Sequence, residues 1–160
     1  MRARFSKIAC ALAAAALTLA GCVGTLPAYQ APPGPTNVRL SGVAEGGALS
    51  SVSGRFLVYR PKDACTHTLA GTLPFKENGV TTVIAPGQTV YLSVEFTRRT
   101  LNSTSMIDSA RYLPVRPGMS YDVRAEYRGS GYELSIRETP MGGSGAGREV
   151  GILPGELPGC

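Results

Sequence analysis

One pattern occurs twice in the 160-residue sequence, and it limits the possible folds more than any other feature. It spans residues 85–96 and again 116–127, and each copy opens with a turn that contains a Pro-Gly pair. Proline presets the backbone at the second position of a type II turn, and glycine supplies the positive φ required at the third. The residues that follow alternate between apolar and polar side chains, as in a β-strand with one buried face. We therefore predict a turn and a strand in each copy.

The two predicted strands bury equivalent faces. Those apolar faces consist of Val90, Leu92, Val94 and Phe96 in the first copy and Tyr121, Val123, Ala125 and Tyr127 in the second. A slip of one residue would expose either set, so the alternation fixes the register. Two copies are too few for a solenoid, which needs three or more repeats. They predict equivalent strands of a sandwich, in which Glu95 and Glu126 take matching, solvated outer-face positions that could lie near each other.

Short strand patterns separated by glycine and proline turns fill most of the chain after residue 36. Further strands are predicted near residues 38–42, 55–60, 79–85, 110–115 and 132–137, with a weaker candidate over residues 66–75 and a candidate edge strand over residues 149–153. No window after residue 22 has the periodicity of an amphipathic helix of about ten or more residues. We predict an all-β antiparallel sandwich of about seven or eight strands, immunoglobulin-like or transthyretin-like. Residues 97–109 and 139–147 are predicted to be loops.

The amino terminus has the pattern of an export signal. Arg2, Arg4 and Lys7 precede an apolar stretch over residues 8–20 that is too short to cross a bilayer comfortably. Leu19-Ala20-Gly21-Cys22 follows, and this segment resembles the lipobox of bacterial lipoproteins.

That resemblance implies cleavage between Gly21 and Cys22 and acylation of Cys22, which becomes the amino-terminal residue. Val23, where some lipoproteins carry an aspartate that retains them in the inner membrane, implies an outer-membrane location at the periplasmic face. The predicted organisation is a signal peptide over residues 1–21, a lipidated cysteine with a proline-rich tether over residues 22–36, and a sandwich domain over residues 37–160.

Two cysteines besides Cys22 remain after the signal is removed. Cys65 and Cys160 would share an oxidising compartment, where such a pair commonly forms a disulfide. We predict that they pair and close a loop of about 95 residues, for which chain entropy gives about 4 to 5 kcal/mol. Two free thiols, or a tail thiol bonded to another molecule, are the alternatives.

Charge and composition exclude several function classes. Three of the 16 Lys and Arg residues lie in the signal and none of the 11 acidic ones, so the exported part carries 13 basic and 11 acidic residues, a net charge of +2. No basic stripe is present, and we predict no nucleic-acid partner. His67, the single histidine, is interpreted as a half-exposed residue beside Cys65. We predict no catalytic residues, metal site or cofactor.

The polar segment over residues 97–109 is the most promising contact loop, because loops at sandwich ends commonly carry recognition. Arg98, Arg99 and Met106 are its candidate contact residues. The layout is similar to small β-sandwich envelope lipoproteins, which implies a membrane-anchored, non-enzymatic binding or assembly module with an envelope protein partner. One alternative is a secretion-system pilotin or accessory lipoprotein, which predicts an exposed groove or edge strand. The other is an envelope hydrolase, which predicts a deep pocket with converging polar groups.

Overall fold

The computed structural model describes residues 25–63, 66–129, 131–143 and 145–153. The signal peptide, Gly21, Cys22, Cys65 and Cys160 lie outside these ranges, so cleavage, lipidation and the disulfide stay predictions. Within the described ranges, no helix is long and apolar enough to span a membrane.

Nine strands in the described part of the chain form two packed sheets. They are β1 (Val38–Ala44), β2 (Ser50–Pro61), β3 (His67–Pro74), β4 (Val80–Thr82), β5 (Thr89–Thr100), β6 (Thr104–Pro114), β7 (Met119–Arg128), β8 (Gly131–Pro140) and β9 (Arg148–Glu149). One sheet has the order β4-β1-β7-β8-β9, and the other has the order β3-β2-β5-β6. The prediction of an all-β sandwich is confirmed, with slightly more strands than expected.

The strand order excludes one of the two sandwich types that the sequence left open. All pairs are antiparallel except β1 and β7, which run parallel. In immunoglobulin domains the first two strands share a sheet and the third lies in the opposite one. Here β1 lies opposite β2, whereas β2 and β3 form a hairpin in one sheet. The topology therefore differs from the immunoglobulin arrangement.

The repeated pattern supplies one inner strand to each sheet. Gly87 and Gly118 have φ values of 82° and 74°, the positive φ that the Pro-Gly turns require. β5 follows the first turn in the four-stranded sheet, and β7 follows the second turn in the five-stranded sheet. The eight predicted apolar residues are all buried, which confirms the predicted faces. The core is thus built where the two copies face each other.

That same arrangement contradicts the predicted proximity of the two repeat glutamates. Because the apolar faces of β5 and β7 point toward each other, Glu95 and Glu126 point outward on opposite sides of the sandwich. Glu95 pairs with Arg55 at 2.7 Å, while Glu126 pairs with Arg128 at 3.0 Å. The two glutamates are not neighbours because β5 and β7 lie in different sheets.

A buried carboxylate holds together the end of the sandwich that contains the Pro-Gly turns. Glu138 is 4% exposed, and one of its oxygens accepts a 3.0 Å hydrogen bond from the Tyr121 hydroxyl. Its other oxygen lies 3.0 Å from guanidinium nitrogens of both Arg116 and Arg148. The Tyr121 hydroxyl also accepts the Arg116 backbone N–H at 2.7 Å. These contacts, which we call the glutamate corner, satisfy a group that would otherwise be costly to bury.

The chain joins the sandwich earlier than the predicted tether allows. The Tyr29 N–H donates to the Thr72 carbonyl at 2.9 Å, and the Thr72 N–H donates to the Pro27 carbonyl at 2.8 Å. The free-tether prediction is therefore wrong for residues 27–29, which cover the edge of β3.

At the other terminus the predicted strand over residues 149–153 is divided: β9 pairs with β8, and Ile152 pairs with Tyr112 of β6 in the opposite sheet.

Candidate functional site at the hairpin end

The four-stranded sheet extends beyond its partner at one end of the sandwich. β2 and β5 have 12 residues each and β6 has 11, whereas in the facing sheet β7 and β8 have 10 each and β1 has 7. Ser50 pairs with Thr100, and Arg99 pairs with Thr104, so the strands continue to the β5–β6 turn. The prediction of a loop over residues 97–109 is wrong. Thr97–Thr100 has polar side chains on both faces and most of the segment is exposed, so the alternation that signals a strand is lost.

Two turns lie side by side at this projecting end, which consists of residues 47–50 and 98–106 and is called the hairpin end below. The pairing of Ser50 with Thr100 brings the preceding Leu49 beside Leu101. These leucines are 75% and 84% exposed, the two highest values among the large apolar side chains of the described residues. A shallow groove connects the turns, lined by Gly47, Ala48, Leu49, Ser50, Arg98, Thr100, Leu101 and Asn102.

Each turn satisfies backbone polar groups with its own serine or threonine. The Ser50 N–H donates to the Gly47 carbonyl at 3.1 Å, and the Gly47 N–H donates to the Ser50 hydroxyl at 2.9 Å. In the second turn the Thr100 N–H donates to the Ser103 carbonyl at 2.9 Å, and the Ser103 N–H donates to the Thr100 hydroxyl at 3.1 Å. The leucines are therefore presented by turns that are closed by local hydrogen bonds.

Two arginines flank the leucines without a carboxylate partner. Arg98 and Arg99 are both exposed, and as neighbours on a strand they project to opposite faces. Neither forms an ion pair with any residue that the structure describes, and the groove lining contains no Asp or Glu. Five other arginines do pair with carboxylates: Arg55, Arg116, Arg124, Arg128 and Arg148.

The hairpin end contains all three contact residues that the sequence suggested, but it also contains two that the sequence analysis missed. Met106 is 60% exposed on the outer face of β6. Leu49 and Leu101 were not predicted, although each is a lone large apolar residue in a short segment of small or polar residues. A bulky apolar residue isolated in a turn was the available signal.

His67 lies in a different environment, on the outer face of the four-stranded sheet. Tyr59, Tyr91 and Tyr112 occupy one row across β2, β5 and β6, and the His67 ring stacks on Tyr91 with a centroid distance of 4.2 Å. The imidazole Nε2 is hydrogen-bonded to the Tyr112 hydroxyl at 2.5 Å. Burial raises the pKa of Tyr91 above its ordinary value. No group of three or more potential metal-ligating side chains occurs among the described residues.

The outer face of the five-stranded sheet carries charges of alternating sign. Arg39, Asp122, Arg137 and Glu149 occupy successive positions of one row across β1, β7, β8 and β9. A neighbouring shallow depression between β7 and β8 is lined by Asp122, Arg124, Glu126, Glu133, Ser135 and Arg137. Because positive and negative side chains are interspersed, this face has no extended potential of one sign that would attract a charged partner.

The hairpin end is therefore the candidate site that combines exposed apolar side chains with unpaired charge of one sign. Comparison with protein families, curated proteins and solved structures finds no match to the chain.

Proposed function

We propose that this protein is a lipoprotein anchored through Cys22 at the periplasmic face of the outer membrane, where it acts as a non-enzymatic binding or assembly module of the cell envelope. The anchor is supported by the lipobox pattern over residues 19–22. The binding role is supported by one observation above all: Leu49 and Leu101 are exposed side by side, next to arginines that lack carboxylate partners.

The position at which the chain joins the domain is compatible with simultaneous anchoring and binding. Residues 27–29 run beside Thr72, which is two strands from β5 and in register with Leu57 of β2. From Leu57 to Ser50, at the hairpin end, the distance along the strand is about 23 Å at 3.3 Å per residue. The docked segment over residues 27–29 therefore occupies a different part of the surface and leaves the hairpin end free. Anchoring also raises the effective concentration toward other membrane-bound components, which favours weak contacts.

The anchoring step is tested by metabolic labelling with an alkyne fatty acid. Wild-type protein should incorporate the label and stay with membranes through a high-salt and carbonate wash. Cys22→Ser should lose the label and be washed off. A Cys22→Ser protein that stays membrane-bound through both washes would contradict the anchor.

The binding step is tested by placing a photocrosslinking amino acid in intact cells at Leu101, with the same group at Arg60 as the control. Arg60 is exposed near the opposite end of β2. We expect a discrete crosslinked product from position 101 and none from position 60. Equal crosslinking from both positions, or no crosslink to protein or to lipid from either, would contradict a contact surface at the hairpin end.

The open edge of β6 favours a second candidate, an accessory lipoprotein or pilotin of a secretion machine. The backbone of Tyr112 forms hydrogen bonds with Ile152 on the side of β6 that faces away from β5. Backbone groups alternate in direction along a strand, so those of Met106 and Asp108 face the same open side. The Ala110 carbonyl is covered by the Arg111 guanidinium at 2.8 Å, but no described strand pairs beside Met106 and Asp108. A partner segment that added a strand here would lose a hydrogen bond in Met106→Pro. That variant should abolish the crosslink from position 101 if strand addition carries the binding.

A further inference from the structure

We infer that the partner of the hairpin end is the surface of a bilayer that contains anionic phospholipid. This inference rests on the proposed binding function and names the chemistry of the partner for the same site. The surface is formed by the apices of two neighbouring turns, and each apex carries one leucine. Because these turns lie where the four-stranded sheet projects beyond the facing sheet, the leucines can meet a flat surface before any other part of that end does.

The apolar part of the surface suits shallow insertion better than a deep protein pocket. Leu49 and Leu101 are aliphatic, and neither is enclosed by the opposite sheet. The side chains that dominate protein–protein contacts are more often tryptophan, tyrosine or arginine in the centre of a packed interface. Amphipathic surfaces that bind membranes instead place apolar side chains about 5 to 10 Å into the boundary between headgroups and acyl chains.

The hydrogen bonds of the two turns reduce the cost of such insertion. Polar backbone groups that leave water must find partners, since the acyl region offers none. The Ser50 and Thr100 hydroxyls and the carbonyls of Gly47 and Ser103 already satisfy backbone groups of the turns. Asn102 and Ser103 remain polar, so the turns would stop at headgroup depth, with the leucine side chains below.

The charges select the class of lipid. Arg98 and Arg99 flank the leucines on opposite faces of β5, and no described carboxylate neutralises them. Long guanidinium side chains can stay at headgroup level while their stems lie against apolar surface. Basic residues near a membrane are attracted to its negative surface potential, so a phosphate-rich anionic surface complements this end.

Together with the anchor, this contact would fix how the domain lies. The segment from Cys22 to the docked Ala28 is short, so it can span at most about 21 Å. The hairpin end lies about 23 Å along the sheet from the docking position. Both can therefore reach one bilayer when β2 and β5 are tilted with the hairpin end pointing into its surface, and a single flexible anchor becomes a two-point attachment.

The test uses residues 23–160 without the lipid, because the complete two-sheet core lies within the described residues. Vesicles of phosphatidylethanolamine and phosphatidylglycerol at 3:1 are compared with phosphatidylcholine vesicles in a flotation assay. We expect binding to the anionic vesicles that falls about thirtyfold in Arg98→Ser/Arg99→Ser and is lost in Leu49→Ser/Leu101→Ser. Arg60→Ser/Lys62→Ser is the matched control, since it removes two exposed charges at the other end of β2 and should bind like wild type.

The outcomes separate this inference from the proposed function. No binding to anionic vesicles, equal binding to both vesicle types, or an equal loss in the Arg60→Ser/Lys62→Ser control would overturn the lipid inference. If the photocrosslinker at position 101 then captures a protein, the binding function stands with a protein partner. If it captures nothing and the vesicles do not bind, both fail. Circular dichroism of each variant shows whether a loss of binding arises from unfolding.

Discussion

Two charged residues, Glu138 and Arg98, occupy equivalent positions in the strand pattern but have opposite fates. Glu138 follows Leu134 and Ile136 on the core-facing side of β8, and Arg98 follows Phe96 on the core-facing side of β5. Glu138 is buried in the glutamate corner, where two arginines and a tyrosine hydroxyl meet it. Arg98 is exposed because β5 has by then passed the end of the facing sheet. A side chain on the core-facing side of a strand is therefore buried only where the opposite sheet covers it.

The comparison implies that the glutamate corner contributes to stability, whereas the hairpin end contributes to binding. At the corner, each arginine lies half-exposed over one carboxylate that is only 3% exposed. At the hairpin end the positive charges have no internal partner, and loss of either side chain leaves no buried group unsatisfied. The largest effects of substitution are therefore expected at the glutamate corner.

Replacing Glu138 by alanine should cause the largest loss of stability, about 2 to 3 kcal/mol in the free energy of unfolding. The change opens a cavity, removes the acceptor for Tyr121 and leaves Arg116 and Arg148 close together without their shared carboxylate. Urea unfolding followed by circular dichroism measures the effect. Glu126→Ala is the control, because that carboxylate is partly solvated and should contribute less than about 1 kcal/mol. An equal loss of unfolding free energy in the two variants would show that the glutamate corner contributes no more to stability than a partly solvated ion pair.

Tyr121→Phe should cost less, about 1 to 2 kcal/mol, because it removes one hydroxyl and keeps the packed ring. The hydroxyl accepts the Arg116 backbone N–H and donates to Glu138, so both groups lose a partner inside the sandwich. Tyr132→Phe provides the comparison, since Tyr132 is 47% exposed and should be nearly neutral. A Tyr121→Phe protein as stable as wild type would show that water replaces the hydroxyl without loss.

The same hydroxyl should give the corner an alkaline pH dependence. Burial raises the pKa of Tyr121, and Glu138 contributes to the increase. An unfolded tyrosine ionises near pH 10, while the folded one holds its proton to higher pH, so the free energy of unfolding should fall as pH rises above about 10. Tyr29 and Tyr91 also have raised pKa values, so the informative quantity is the slope of wild type minus that of Tyr121→Phe between pH 9 and 11. Identical slopes for wild type and Tyr121→Phe would contradict the assignment of this pH dependence to the Tyr121 hydroxyl.

The sequence was sufficient where one face of a strand is buried and the other is solvated. The faces of β5 and β7 were predictable for that reason, down to each apolar residue. It was insufficient where that contrast disappears. Thr97–Thr100 extends beyond the opposite sheet and has polar residues on both faces, so this end of β5 resembled a loop. The parallel pairing of β1 with β7 was also hidden, because alternation fixes which face is buried and not which neighbour is chosen.

Glu138 illustrates a signal that was present but not used. The period of two places it on the same face as Leu134 and Ile136, so a charge at this position required either the end of the buried face or a set of partners. Its partners come from sequence positions 116, 121 and 148, and their convergence depends on the order of β7, β8 and β9. Strand order is set by long-range packing, so the glutamate corner could be suspected from the sequence but not assembled from it.

The smallest expected effect is on the stability of the hairpin end itself. Arg98→Ser/Arg99→Ser should change the free energy of unfolding by less than about 0.5 kcal/mol, because both side chains are exposed and break no ion pair with a described residue. The same pair of substitutions is expected to weaken binding to anionic vesicles strongly, so one variant separates binding from folding. The informative measurement is urea unfolding of this variant beside Glu138→Ala. If the two arginines proved as costly to remove as Glu138, the hairpin end would be a second structural corner, and the contrast between exposed and buried charge would no longer identify a binding surface.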